Sequence, residues 1–306
     1  MTDLSVSIVN TNSRELLLAC LDTLGGTDAE IVVLDNASED GSVDAVRELF
    51  PHVRVLAQDF RAGFGANHNT VIHSTGGRYV YVLNEDTTAG DWAFERIVEY
   101  LDAHPHVAAL GPRLVYPDGR LQDSAWRFPT PLVSTLGLLT VGKLGVKQSH
   151  GDSARAVDWV MGAALVLRRE ALEEVGLFDE EFFLYSEEVD LQFRLRQAGW
   201  EVHYFPDATV VHHESQFSAD IPERRINEMW RSRHRYWRKH HSGTGARVAA
   251  LATGGQYAVR AAAAPLVRRS PHRMLLHTRD SWRVTGPGLR ELADEWNGRV
   301  GNPTRR

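Results

Sequence analysis

The chain has 306 residues, 43 % apolar and 24 % charged, which is ordinary globular composition and ample for a packed core. Its single cysteine, Cys20, excludes a disulfide framework and a thiolate metal site, and within an apolar helical pattern it reads as a small buried hydrophobe. The net charge of −6 hides an asymmetry: residues 223–306 hold 18 Lys and Arg against 6 Asp and Glu, a net +12 that leaves −18 for residues 1–222.

In chain order, Ser5–Val9 is an apolar run suited to a strand buried on both faces. No basic n-region precedes it, so no signal peptide is expected, and no window reaches the roughly 18 consecutive apolar residues of a membrane span. A cytoplasmic protein is the expectation. Asn10-Thr11-Asn12-Ser13-Arg14 opens a helix from Glu15 to Leu24, which Gly25-Gly26 ends. Ile31–Leu34 is a second buried strand, Asp35–Ser42 a polar turn, Val43–Phe50 a helix and Val53–Leu56 a third strand. This order predicts a doubly wound, mostly parallel sheet with ligands beyond the carboxyl ends of its strands, where Asn10, Thr11 and Asp35 lie. Asx residues with Gly41 suit a tight turn equally well.

Gly63-Phe64-Gly65-Ala66-Asn67-His68-Asn69 is a glycine-rich turn entering a helix, a place for backbone N–H groups to meet phosphate. The strand Arg78–Leu83 then delivers Asn84-Glu85-Asp86-Thr87-Thr88 to the same sheet edge. Its two adjacent acids suit either a divalent cation or the start of the next helix, at Trp92–Ala103. A strand at Val107–Leu110 and a hairpin over Arg113–Gln122, with Pro117-Asp118-Gly119 at its tip, follow. Residues 127–156 carry little pattern and are expected to form a mobile loop over a site. Val157–Leu167, containing Trp159, reads as one strand whose internal Gly162 marks a close approach. Strands at Val202–Phe205 and Thr209–Val211 lead to His212 and His213.

Gly176–Gly199 is the densest mixture of acids and aromatics. Ser186 reads as an N-cap, Glu187, Glu188 and Asp190 crowd a first helical turn, and Gly199 ends a helix of about three turns. Each acid there complements the helix dipole by roughly 0.3–1 kcal/mol. The neighbouring Phe182, Phe183, Leu184 and Tyr185 would also desolvate a carboxylate and raise its pKa toward that of a general base. On the helix Glu187 and Asp190 share a face, while Glu188 points about 100° away.

Six ordered motifs then add up: Val6–Asn12, Ile31–Gly41, Gly63–Asn67, Leu83–Thr87, Trp159–Ala164 and Phe182–Leu191. Together, over residues 4–217, they resemble the family 2 inverting glycosyltransferases of the GT-A fold, and within that family the bacterial rhamnosyltransferases of cell-wall and O-antigen assembly. The resemblance implies that Thr11 and Asp35 contact the nucleoside, that Asp86 is the metal ligand, that Glu188 is the general base and that His212 touches metal or diphosphate. Asn84 stands where the family's metal motif begins with an acid, Glu85 where it often has proline, Glu187-Glu188 where it usually has Glu-Asp, and Arg61 where it often has Asn.

The sequence thus points to an α/β catalytic domain over 1–222 and a basic, helical extension over 223–306. The expected activity is metal-dependent inverting transfer from a nucleotide-diphosphate sugar, dTDP-rhamnose in particular, with Mg²⁺ or Mn²⁺ as cofactor. Expected catalytic residues are Glu188, Glu187 and Asp190. Asn10, Thr11, Asp35, Gly63, Asn67, Asn84, Glu85, Trp159 and Gly162 are expected on the donor, and Asp86 and His212 on the metal. A nucleotidyltransferase or a non-catalytic nucleotide-sugar-binding module is the alternative. In the extension, Arg224 to Lys239 interleave with Trp230, Tyr236 and Trp237, a mixture suited to an anionic membrane surface or to packing back on the acidic domain. No nucleic-acid motif accompanies the charge. The family resemblance adds a polyprenyl-diphosphate-linked glycan as acceptor.

Overall fold

The structure, a computed structural model, describes residues 3–89, 91–141, 146–214, 221–267 and 270–300, with the side chains of 266 and 267 left aside. The end of the family resemblance, at 215–217, lies outside them. Twelve strands are described: β1 (Leu4–Asn10), β2 (Glu30–Asp35), β3 (Arg54–Ala57), β4 (Tyr79–Asn84), β5 (Thr87–Thr88), β6 (Val107–Val115), β7 (Leu121–Gln122), β8 (Ala125–Trp126), β9 (Arg155–Val157), β10 (Trp159–Val160), β11 (Ala164–Arg168) and β12 (Glu201–His212). The helices of the first 200 residues are α1 (Arg14–Thr23), α2 (Ser42–Leu49), α3 (Phe64–Ser74), α4 (Phe94–Ala103), α5 (Pro131–Leu139), α6 (Arg169–Val175) and α7 (Glu187–Gln197). Those of the extension are α8 (Pro222–His240), α9 (Gly243–Ala263), α10 (His272–Trp282) and α11 (Leu289–Arg299).

The main sheet runs β3-β2-β1-β4-β11-β6-β12-β5, with β7 beside β6 and β9 beside β12. Strands β3, β2, β1 and β4 are mutually parallel, β11 runs against both β4 and β6, and β12 is parallel to β6. The register pairs Asn10 with Asp35 and Val9 with Asn84, so the carboxyl ends of β1, β2 and β4 share one edge. At its far end β12 pairs His212 with Thr87, which brings the histidine to the turn that follows β4. The apolar runs of β1, β2 and β4 are buried because both faces are covered: α1 and α4 on one side, α3, α6 and α7 on the other.

Three expected elements differ. Residues 127–156 are not a bare loop: they contain α5, started by Pro131 in its first turn with Thr130 Oγ1 accepting from Val133 N, and α5 packs on α9. Val157–Leu167 is three strand segments, not one. β10 leaves the main sheet to pair with β8, since Val160 occupies the space above Gly111, where a Cβ would come within 2.6 Å of it. The two strands expected before His212 are one, β12, with a register shift between Phe205 and Thr209.

The extension packs back on the rest of the chain. Trp230, Tyr236 and Trp237 are buried with Phe128, Trp159, Phe182 and Val189 in one aromatic cluster, and Trp237 Nε1 donates to Pro129 O. These aromatics are core, so the expected reading of them as a membrane-facing belt is corrected. Among the described residues no helix is long and apolar enough to cross a membrane.

Candidate active site

Chain geometry just before α7 builds the site. Tyr185 and Ser186 both take left-handed backbone, φ 68° and 65°, which costs a non-glycine residue of order 1–3 kcal/mol and persists only when surroundings impose it. Here the surroundings are explicit. Phe64 N donates to Phe183 O, Ser232 Oγ to Leu184 O, and Arg225 Nε to Tyr185 Oη. Gly63 is glycine because a Cβ there would sit 2.8 Å from Phe183 Cα. The glycine turn therefore seats this loop. Ser186 occupies the N-cap position of α7 without capping it through its side chain.

The strained turn aims Glu187 and Glu188 into a cavity of about 410 Å³. Oε2 of each finds no hydrogen-bond partner among the described residues. Burial raises the pKa of both, and the charge of Glu188 pushes Glu187 further up, while Arg233 behind the helix opposes the rise at Glu188.

The opposite wall is the end of β4 and the end of β12. His212 Nδ1 lies 2.9 Å from Gln122 Oε1, which orients the ring and places Nε2 3.4 Å from Asp86 Oδ1. Both side chains are buried and both line the cavity. Neighbouring Glu85 also lines it, its carboxyl pushed up to about 8 by burial and then by the charge of Asp86. No three His, Cys, Asp or Glu side chains converge among the described residues. One carboxylate and one imidazole on a common point, with the other positions open, suit a hard cation that keeps phosphate oxygens and water as ligands.

The third wall mixes early and late chain. Thr11 Oγ1 accepts from Asn36 Nδ2, Asn36 also bonds the backbone of Ala62, and Asn67 Nδ2 donates to Ala62 O. Arg61, Leu289, Leu292 and Ala293 complete that side. Helix α11 is latched at both ends. Glu228 Oε2 accepts from Leu289 N and Arg290 N, while Asn297 bonds both N and O of Arg61, and Trp296 lies 4.4 Å from the Arg61 guanidinium.

The cavity therefore collects Thr11, Asn67, Asn84, Glu85, Asp86, Gly162, Glu187, Glu188 and His212 from the expected set. It does not collect Asn10, Asp35, Gly63, Trp159 or Asp190. Asp35 is buried and accepts from Asn10 Nδ2 and Ser38 N, so both Asn10 and Asp35 shape the turn, and Asn36 faces the cavity instead. Trp159 stacks on Trp126 with centroids 4.5 Å apart and donates to Arg127 O. Asp190 is turned to the end of α8, where Lys239 and His240 hold it at 2.8 and 2.7 Å, while Arg194, one turn on along α7, holds it at 2.9 Å. Arg225 and the α11 residues were missed because nothing local marks them as cavity-lining.

Residues 5–176 match the glycosyl transferase family 2 pattern, over half of the chain. The chain belongs to glycosyl transferase family 2. It is 30 % identical over 248 residues to the N-acetylglucosaminyl-diphospho-decaprenol L-rhamnosyltransferase of Mycobacterium tuberculosis, covering 75 % of this chain and 81 % of that protein. It is 32 % identical over 76 residues to the rhamnosyltransferase WbbL of Escherichia coli, covering 25 % of this chain and 29 % of that one. Among solved structures, the mannosyltransferase PcManGT of Pyrobaculum calidifontis, in complex with GDP-Man and Mn²⁺, superposes with a TM-score of 0.58 at 19 % identity over 97 % of this chain and 84 % of that one. TarS of S. aureus in complex with UDP-GlcNAc gives 0.57 at 15 %, over 100 % and 93 %. At such identities the likeness shows the fold, the GT-A fold that the sequence motifs implied. The glycosyltransferase reading holds over the nucleotidyltransferase.

Proposed function

We propose that this glycosyltransferase transfers rhamnose with inversion from dTDP-rhamnose to a polyprenyl-diphosphate-linked glycan, at an anionic membrane surface, using Mg²⁺ or Mn²⁺. The observation that carries the chemistry is the pair of desolvated carboxylates at the start of α7, facing Asp86 and His212 across one cavity. Glu188 takes the proton of the acceptor hydroxyl as its oxygen attacks the anomeric carbon. The bond from that carbon to the diphosphate oxygen breaks on the opposite face, and the nucleoside diphosphate leaves. Burial and the charge of Glu188 favour the protonated form of Glu187, which in that form donates a hydrogen bond within the site without adding a second negative charge. Asp86 and His212 would hold the cation, which neutralises charge on the leaving diphosphate. Thr11, Asn36, Arg61 and Asn67 line the side left for the nucleoside.

Rhamnose and the lipid-linked acceptor rest on the names of the mycobacterial and E. coli relatives. The membrane surface rests on a layer of three helices, α5, α9 and α10. Leu132, Leu136 and Leu139 form an exposed stripe on α5, and Val248, Leu251 and Val259 another on α9, joined where Leu138 meets Gly255. Helices α5 and α9 contain no acidic residue, and the one in α10, Asp280, is buried against Arg279.

Glu188→Gln tests the chemistry. Turnover should fall by about 10²–10⁴ while calorimetric affinity for the nucleotide sugar stays within a few fold. Because burial raises the Glu188 carboxyl, kcat/KM of the wild type should begin to fall with decreasing pH already above the ordinary carboxylate range. Retention of more than about a tenth of turnover, a barrier change under roughly 1.4 kcal/mol, would move the base role to Glu187.

A further inference from the structure

A second cavity, of about 470 Å³, lies between α8 and the starts of α11 and the segment after α10. Its lining is strongly cationic: Arg231, Arg235, Arg238, Arg283 and Arg290 against Glu181 and Glu228. Three of the five arginines are engaged. Arg231 pairs with Glu291, Arg235 with Glu181 at 3.0 Å, and Arg290 donates to Glu181 O at 2.8 Å. Glu228 is also committed, to the backbone N–H groups at the start of α11. Arg238 and Arg283 are exposed and make no side-chain bond among the described residues. Each guanidinium presents a planar fork of donors that suits phosphate oxygens, and these two stand without a described partner in a concave site already rich in positive charge.

The groove shares a wall with the active-site cavity. Leu289 faces one and Arg290 the other, and the Arg290 guanidinium lies 5.6 Å from the ring of Phe183, which lines the active site. Ser232 lines the groove and bonds the carbonyl of Leu184, on the active-site loop. At the groove's other end stands Trp282, an exposed aromatic on α10, the helix that packs on α9 in the apolar layer. Anionic charge held here would thus lie between a hydroxyl at Glu188 and an apolar chain leaving across α10 and α9.

We propose that this groove is the subsite for the diphosphate of a lipid-linked acceptor, with Arg238 and Arg283 as its free ligands. The assignment of acceptor rests on the transferase reading above; the anion site does not. The test is calorimetry in EDTA with inorganic pyrophosphate and with farnesyl diphosphate as a soluble lipid diphosphate, on the wild type, Arg238→Ala/Arg283→Ala and Asp86→Ala. The wild type should bind both, farnesyl diphosphate at least as tightly. The double variant should lose at least tenfold for both, and Asp86→Ala should stay within threefold. Should the alanine pair fail to fold, Arg238→Gln/Arg283→Gln removes the charges with less loss of packing. Wild-type affinity in the double variant, or loss of binding in Asp86→Ala, overturns the groove as the site. Pyrophosphate binding without farnesyl diphosphate binding overturns the lipid-linked ligand. Sugar transfer by the wild type is assayed separately: its absence would remove the transferase reading while leaving the groove's affinity for pyrophosphate to stand by itself.

Discussion

Replacing Asp190 by Asn separates a positioning carboxylate from a catalytic one. The Asp190 side chain is fully buried and meets Arg194, Lys239 and His240 within 2.9 Å, tying the first turn of α7 to the end of α8. Although burial raises its pKa, the hydrogen bonds from His240 and Lys239 and the charge of Arg194 outweigh that and hold it down at about 2, against an ordinary 3.8. A depression of that size corresponds to about 2 kcal/mol of native-state stabilisation. Removing one partner of a buried pair costs roughly 3–5 kcal/mol when the remaining charge is trapped. Here Lys239 keeps 33 % exposure and can reach water, so the expected loss for Asp190→Asn is nearer about 2–3 kcal/mol. Urea denaturation should show a lower midpoint at unchanged slope. The carboxylate's contribution is present above pH 3.8 and is lost as pH falls through about 2, so the gap between wild type and variant should be constant from pH 8 to 5 and close below 4. Turnover should fall far less than in Glu188→Gln. Full stability with turnover lost as completely as in Glu188→Gln would refute this reasoning and return Asp190 to the chemistry.

Asp86→Ala should abolish the metal-dependent part of the thermal stabilisation given by nucleotide diphosphate, and His212→Ala should reduce it less, read as Tm with Mn²⁺ or EDTA. Unchanged binding and turnover in EDTA would end the metal assignment. Leu136→Glu/Leu251→Glu, on the exposed stripes of α5 and α9, should release the chain from anionic liposomes at low salt, where wild-type binding falls as salt rises. Equal sedimentation of both proteins would rule out this face.

Most of the first half was legible in the sequence because its signals are local. Apolar runs, caps and Gly stops set β1, α1, β2, α2, α3 and β4 within a few residues, and the Asn84–Asp86 and Glu187–Glu188 acids reach the cavity because strand ends and helix starts face one sheet edge. What was not legible depended on distant partners. Helical spacing puts Asp190 on the face of Glu187, but Lys239 and His240, some 50 residues later, decide where its carboxylate goes. Val157–Leu167 is mostly apolar and reads as one strand; it breaks into separate strands where Gly111 leaves room for Val160. Residues 127–156 carry little periodic pattern, although Thr130 before Pro131 is also how a helix starts. Leu289, Leu292 and Ala293 look like any amphipathic helix, and only the latches of Glu228 and Asn297 place them on the site.

That last point bears on the boundary near residue 222, where the charge reverses but the packing does not. Phe128, Trp159, Phe182 and Val189 on one side are covered by Trp230, Tyr236 and Trp237 on the other, and Phe182 begins the loop that aims the catalytic pair. Aromatic side chains bury about 150–250 Å² each, so at roughly 25 cal/mol per Å² the three on α8 together account for about 10–20 kcal/mol of transfer free energy. Even after discounting for a compact unfolded state, that rivals the 5–15 kcal/mol of net stability usual for a whole domain. A chain cut after residue 222 should therefore lose its cooperative unfolding transition, bind a hydrophobic dye, and fail to bind nucleotide sugar, with no charge repulsion needed to explain it. High salt should not rescue it, since the missing interaction is apolar. A truncated chain that melts cooperatively and binds nucleotide at the full-length affinity would establish residue 222 as a domain boundary and reduce α8–α11 to an appendage.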